Sequence, residues 1–231
     1  MTLQEFSIEF DLLYNNISSN QAPGLTEYEK SVFLTQAQEA IILDLYKGAG
    51  GDSFETTEEV TRYLSSLVKD CSLEESSTSS DSPNICGYPT STYDLPEDLM
   101  YITFQSGEIK IDDNNKVLIV NVVPTTQNNL YKSLNNPFKR PSTTKILSVS
   151  EGGKLIVYSD YEINNIYIKY LSFPHPIILH SIDDTTTSSA DEEGLTIRGK
   201  TESKEVTWLP ESLHNQILVR AVQIAKTVWA S

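Results

Sequence analysis

"YITFQSGEIKIDDNNKVLIVNVV", residues 101–123, decides how the rest of the chain is read. "YITFQSGEIKI" and "KVLIVNVV" are rich in residues that suit a pleated, half-buried surface. The "DDNN" between them is turn chemistry, so the stretch is predicted to be a β-hairpin. Residues 1–69 have a different character, with apolar side chains at helical spacing. The hairpin therefore lies where a helical chain has become a β-rich one.

Upstream, three helices are predicted, each with a start that can be named. Thr2 and Glu5 form a capping box ahead of Phe6, Phe10, Leu13 and Ile17. After the break "SSNQAPG", Thr26 and Glu29 repeat the box. Val32, Phe33, Ala37, Ala40, Ile41 and Leu45 then make an apolar stripe that ends at Gly48. Beyond "GAGGDS", Thr56 and Glu59 supply a third box, with Val60, Leu64, Leu67 and Val68 on one face. Residues 70–93, "DCSLEESSTSSDSPNICGYPTSTY", are polar and aperiodic and read as a Ser-rich loop or arm.

Downstream, a short helical piece is predicted around 125–134. "TKILSV", "EGG" and "KLIVYS" make a second hairpin, and "INNIYIKYL" a further strand. "FPHPIIL" is held extended, because a residue before proline is pushed out of the α region. An acidic loop, "DDTTTSSADEE" at 183–193, precedes a last strand near "EVTWL". Pro210 then opens a final helix with Leu213, Ile217, Ala221, Ile224 and Val228 on one face. The expected fold class is α+β. Residues 1–69 plus 210–231 form a helical bundle, and 94–209 form an inserted β-rich domain, a hairpin, small barrel or sandwich.

The totals narrow the function. A chain of 231 residues with 39% hydrophobic and 21% charged residues is that of a globular protein with a real core. Net charge −15 argues against gripping nucleic acid, which needs concentrated positive charge. The opening "MTLQEFSIEFDLL" lacks a basic region followed by an apolar run, so no signal peptide is expected, and no apolar run is long enough for a membrane span. Cys71 and Cys86 match no metal spacing and are expected to be free thiols in a protein made in a cytoplasm.

Catalytic patterns are weak throughout. "GAGGDS" lacks the Lys-Ser/Thr of a phosphate loop and follows a helix, so it reads as a helix cap and turn. His175, His180 and His214 have no ligand partners at metal spacing. No serine sits in a nucleophile elbow, and the acids lie mostly in solvated loops where their pKa values stay ordinary. No catalytic residue, metal or cofactor is expected, and no enzyme activity.

One segment departs from the chain's acidity. Between Asp113 and Glu151 lie Lys116, Lys132, Lys139, Arg140 and Lys145, five of the 17 cations, and no acid. The centre of this island, "YKSLNNPFKRPSTTK" at 131–145, is stiffened by Pro137 and Pro141, so its side chains lose little entropy on binding. A solvated face that offsets acids elsewhere is the plainer reading. An aromatic beside Arg is nevertheless how interface anchors look. The candidate protein-contact residues are Lys132, Asn135, Asn136, Pro137, Phe138, Lys139, Arg140, Pro141 and Lys145.

The order of several segments resembles a known family. "GLTEYEKSVFLTQAQEAIILDLY", "LPEDLMYI", "NNPFKRP", "LIVYSDYEI", "IYIKYLSFPHPIIL" and "LPESLHNQILVRAVQIAK" are similar to the head–tail connector (adaptor) ring proteins of short-tailed bacteriophages, the crAss-like type in particular, with tail tubular A type adaptors as wider relatives. The resemblance covers most of the chain and rests on the number and order of segments. It implies a virion structural protein, a subunit of a dodecameric ring that docks on the portal or on adjacent tail rings. It also implies a helical bundle with an inserted β domain, double-stranded DNA passing through the lumen without specific binding, and assembly in the host cytoplasm. A second reading is a β-rich binding or scaffold module of a bacterium.

Overall fold

The computed structural model describes residues 1–17, 24–48, 58–75, 88–111, 116–179, 196–200 and 209–229. Its helices are α1 Leu3–Ile17, α2 Glu27–Lys47, α3 Glu58–Leu64, α4 Gln127–Leu134 and α5 Glu211–Trp229. Its strands are β1 Val68–Leu73, β2 Thr90–Asp94, β3 Leu99–Ile111, β4 Lys116–Pro124, β5 Lys145–Glu151, β6 Lys154–Tyr158 and β7 Glu162–Ser172. The fold is mixed α and β. The chain divides into two compact units, residues 1–67 with 173–231, and residues 68–172.

In the first unit, α1 and α2 begin as their sequence signals require. Glu5 N–H donates to the Thr2 hydroxyl at 3.3 Å, and Thr2 N–H donates to the Glu5 carboxylate at 2.7 Å. Thr26 and Glu29 make the same reciprocal pair at 3.3 and 2.8 Å. α2 ends at Gly48, whose φ of 71° is the left-handed conformation that glycine adopts without strain. Thr56 of the third box lies outside the described residues.

The buried face of α2 is rotated from the predicted stripe. Ser31, Leu34, Thr35, Ala37, Gln38, Ile41 and Ile42 are buried, whereas Val32, Phe33, Ala40 and Leu45 are half-buried. The reason is polar. Ile177 N–H donates to the Thr35 hydroxyl at 3.2 Å, and Leu179 N–H donates to the Ser31 hydroxyl at 3.0 Å. The "FPHPIIL" segment is thus free of regular structure, as its prolines demand, and it belongs with the helices rather than with the sheet. Two hydroxyls one helical turn apart satisfy backbone groups that have no strand partner. α5 packs against α1 and α2 and buries Leu213, Ile217, Leu218, Ala221, Val222 and Ala225.

The second unit is one seven-stranded sheet in the order β1-β7-β3-β4-β5-β6-β2. The hairpins β3–β4 and β5–β6 are antiparallel, as predicted, although the "DDNN" turn lies outside the described residues. They are joined in parallel, with Asn121 to Pro124 beside Lys145 to Ser148. Parallel neighbours need a crossover connection, and α4 lies within it.

β1 and β2 overlap the two ends of the stretch 70–93 read as a loop. β1 pairs with β7 and β2 with β6, so both are short edge strands. Polar outward side chains leave each with too little apolar alternation to stand out, and it is distant pairing that makes them strands. The sheet curls until these edges meet at an isolated bridge between Glu75 and Tyr93. One core then draws on every strand: Leu73, Tyr93, Ile109, Val120, Ile146, Leu155 and Ile166. Gly107 makes room in it, since a Cβ there would lie 3.0 Å from Cδ1 of both Ile146 and Ile166. The segment 183–193, the "EVTWL" strand (Leu209 apart), Cys86 and His180 lie outside the described residues.

Candidate functional site

All nine predicted contact residues fall on the β4–β5 crossover or its landing on β5. Leu130 and Leu134, one turn apart on α4, pack with Leu147, Val149 and Tyr158 on the outer side of the sheet. That leaves Lys132 exposed. Pro137 cannot continue a helix, so the chain turns after the helix cap at Asn135. The Asn136 side-chain oxygen accepts from Phe138 N–H at 3.0 Å, and its carbonyl accepts from Lys139 and Arg140 N–H at 3.0 and 2.9 Å. Lys145 Nζ donates to the Phe138 carbonyl and ties the turn to β5. Pro141 is buried beneath it, while Pro137 is exposed and Phe138 stands out at 87% exposure.

The fold gathers part of this set. Lys132, Asn136, Lys139 and Lys145 line one cleft of about 720 Å³ together with Thr125, Thr126 and Asn129. Asn135, Pro137, Phe138, Arg140 and Pro141 do not line it. Val123, Pro124, Ser133 and Leu147 complete its lining.

Ion pairing separates these cations from four others of the same unit. Lys69, Lys110, Lys154 and Lys169 pair with Asp98, Glu162, Asp94 and Asp70 at 2.6, 3.0, 3.8 and 3.6 Å. Lys132, Lys139, Arg140 and Lys145 have no acid partner among the described residues. A single exposed pair is worth little. A cluster of unmatched cations on an acidic protein instead sets a local potential that steers a partner of opposite sign.

A second surface went unnoticed in the sequence. Val117, Ile119, Phe104 and Tyr167 are exposed on the outer face of β4, β3 and β7. The available signal was in "KVLIVNVV", where apolar residues occupy both alternating faces, unlike a strand with one solvated side. Among them Glu108 accepts hydrogen bonds from Asn164, Asn165 and Tyr167 at 3.0, 3.3 and 3.3 Å. The Asn164 bond, with those of Asn165 and Tyr167, holds its carboxyl below the ordinary range.

His214 is buried against Phe6, with ring centres 5.3 Å apart, and its Nε2 lies 3.2 Å from the Leu209 carbonyl. Burial pushes its pKa down. His175 Nδ1 lies 3.2 Å from the Pro176 carbonyl. Cys71 is a free thiol. Among the described residues no group of His, Cys, Asp and Glu could hold a metal ion, and no helix is long and apolar enough to cross a membrane.

Comparison with known proteins agrees over nearly the full length. The family described as phage tail ring protein 3/4 matches residues 1–230. Ring protein 3 of Bacteroides phage crAss001 is 36% identical over 231 residues, covering 97% of this chain and 95% of the relative. Ring protein 4/5 of the same phage is 34% identical over 241 residues, covering 99% and 94%. The chain therefore belongs to the phage tail ring protein 3/4 family.

Proposed function

We propose that the chain is a virion structural protein, a subunit of a dodecameric ring in the head–tail connector that docks on the portal or on a neighbouring tail ring and encloses part of the DNA channel. The observation that carries this reading is the match of the family to residues 1–230, with two ring proteins at comparable identity. The helices of both chain ends form a bundle in this reading, and the β-rich unit is an insertion that carries contact surfaces. Family membership leaves the bacterial scaffold module without an observation in its favour.

The Lys132–Lys145 island is a protein contact in this scheme, matched by acids of a like subunit or of the portal. DNA is what the rest of the surface lets pass, since a chain of net charge −15 offers its phosphates few counter-charges. Assembly takes place in the host cytoplasm and the finished ring stays in the virion. Catalysis has no part in it. Negative-stain imaging of the purified protein mixed with portal tests the proposal. Stacked rings are the expected outcome. Monomers that ignore the portal, or tight DNA binding by the ring that weakens steeply with salt, would count against it.

A further inference from the structure

Two surfaces of the β-rich unit each hold a charge and an apolar side chain that the described residues leave uncovered. The first is the turn after α4, where Phe138 is 87% exposed and Arg140 lacks an acid partner among the described residues. The second is the outer face of β7, β3 and β4. Ile119 is 79% exposed there, and Glu108 lies opposite it in register.

Glu108 is set for an incoming cation. Its Oε2 accepts from the Asn164 and Asn165 amides and its Oε1 from the Tyr167 hydroxyl. A carboxylate offers about four acceptor directions, so Oε1 has room for one more donor. All three donors are neutral, so they fix the group in place without cancelling its charge. The flanking Lys110 and Lys169 are paired with Glu162 and Asp70, and Glu108 has no cation partner among the described residues. A charge held in place, without an ion-pair partner among the described residues and with exposed Ile119 beside it, needs little further ordering on binding, which is what the centre of an interface requires.

We propose that these surfaces meet between adjacent copies: the Phe138–Arg140 turn of one copy docks on the Glu108 face of the next, with Phe138 against Ile119 and the Arg140 guanidinium on Glu108. A second copy is the occupant because the turn and the face belong to one chain and complement each other in sign and polarity. Two different surfaces that bind each other give a head-to-tail contact, which closes into a ring when its rotation allows. The inference rests on the ring reading and names the contact that reading leaves open.

Wild type, Glu108→Arg, Arg140→Glu and the chain carrying both changes are compared by mass photometry and negative stain, with circular dichroism to verify folding. Each single reversal is expected to lower ring yield at least about tenfold, as loss of a hot spot does. The double reversal is expected to restore it, because every junction regains an opposite pair. Ile119→Ser, at an exposed site, carries the same expectation should either charge reversal fail to fold. Folded single variants that assemble like wild type overturn the proposal. So does a double variant that stays unassembled beside defective singles, or a closed dimer in place of a ring. Wild type that forms no ring, alone or with portal, overturns the ring reading itself and this contact with it.

Discussion

At residue scale, the side chains that matter most are those whose neighbours leave them no substitute. Thr35 satisfies both the N–H and the carbonyl of buried Ile177, at 3.2 and 3.5 Å. Thr35→Val keeps the shape and removes the hydroxyl, so an expected loss of about 1–3 kcal/mol should be read by urea denaturation. Gly107→Val pushes new methyls against Ile146 and Ile166 and is expected to cost about 1–3 kcal/mol by overpacking, again seen as a lower denaturation midpoint. His214 supplies a pH signature. Burial lowers its pKa from the ordinary 6.5, so the unfolded chain takes the proton more readily than the folded one. Its contribution to stability is therefore present above pH 6.5 and is lost as pH falls from there through the folded value. Melting temperatures taken from pH 8 to 5 should fall, and His214→Gln should flatten the lower part of that curve. The capping pairs Thr2–Glu5 and Thr26–Glu29 were legible in the sequence because each is closed within four residues. The partners of Thr35 were not, since they lie 142 residues away.

At the scale of elements, α4 joins the fold to the candidate site. Its one apolar face, Leu130 and Leu134, is clamped on β5 and β6 by Leu147, Val149 and Tyr158. Its other side presents Lys132 to the cleft. Leu134→Ala should cost about 2–5 kcal/mol in stability, as buried leucine truncations do. Partner binding should weaken along with it, and comparing calorimetric melting with a pull-down on portal separates the two effects. The long strands β3, β4 and β7 were legible from their composition. β1 and β2 were hidden, because an edge strand of five or six residues carries little apolar pattern of its own. The parallel pairing of β4 with β5 was equally hidden. Two hairpins in sequence say nothing of how they join; the crossover through α4 fixes that.

At the scale of the whole molecule, the uneven charge dominates. The chain is acidic at −15, and Lys132, Lys139, Arg140 and Lys145 are without an acid partner among the described residues. Association through them should weaken as salt rises from about 0.1 to 1 M, where the Debye length falls from about 10 to about 3 Å. Lys132→Glu with Lys139→Glu should slow association with an acidic partner and remove most of that salt dependence, as followed by stopped-flow light scattering.

The sequence by itself determined the class of fold, the starts of α1 and α2, the two hairpins and the basic island. Each of these is written in neighbouring residues, whose spacing or composition suffices to show it. Only the tertiary structure decided which cations share a cleft, which face of α2 is buried and where the extended proline segment rests. It also closed the sheet through Glu75 and Tyr93 and brought exposed Ile119 and Tyr167 from neighbouring strands to the face that carries Glu108. These are contacts between distant parts of the chain, fixed by burial and by the pairing of backbone groups, and no local pattern specifies their partners.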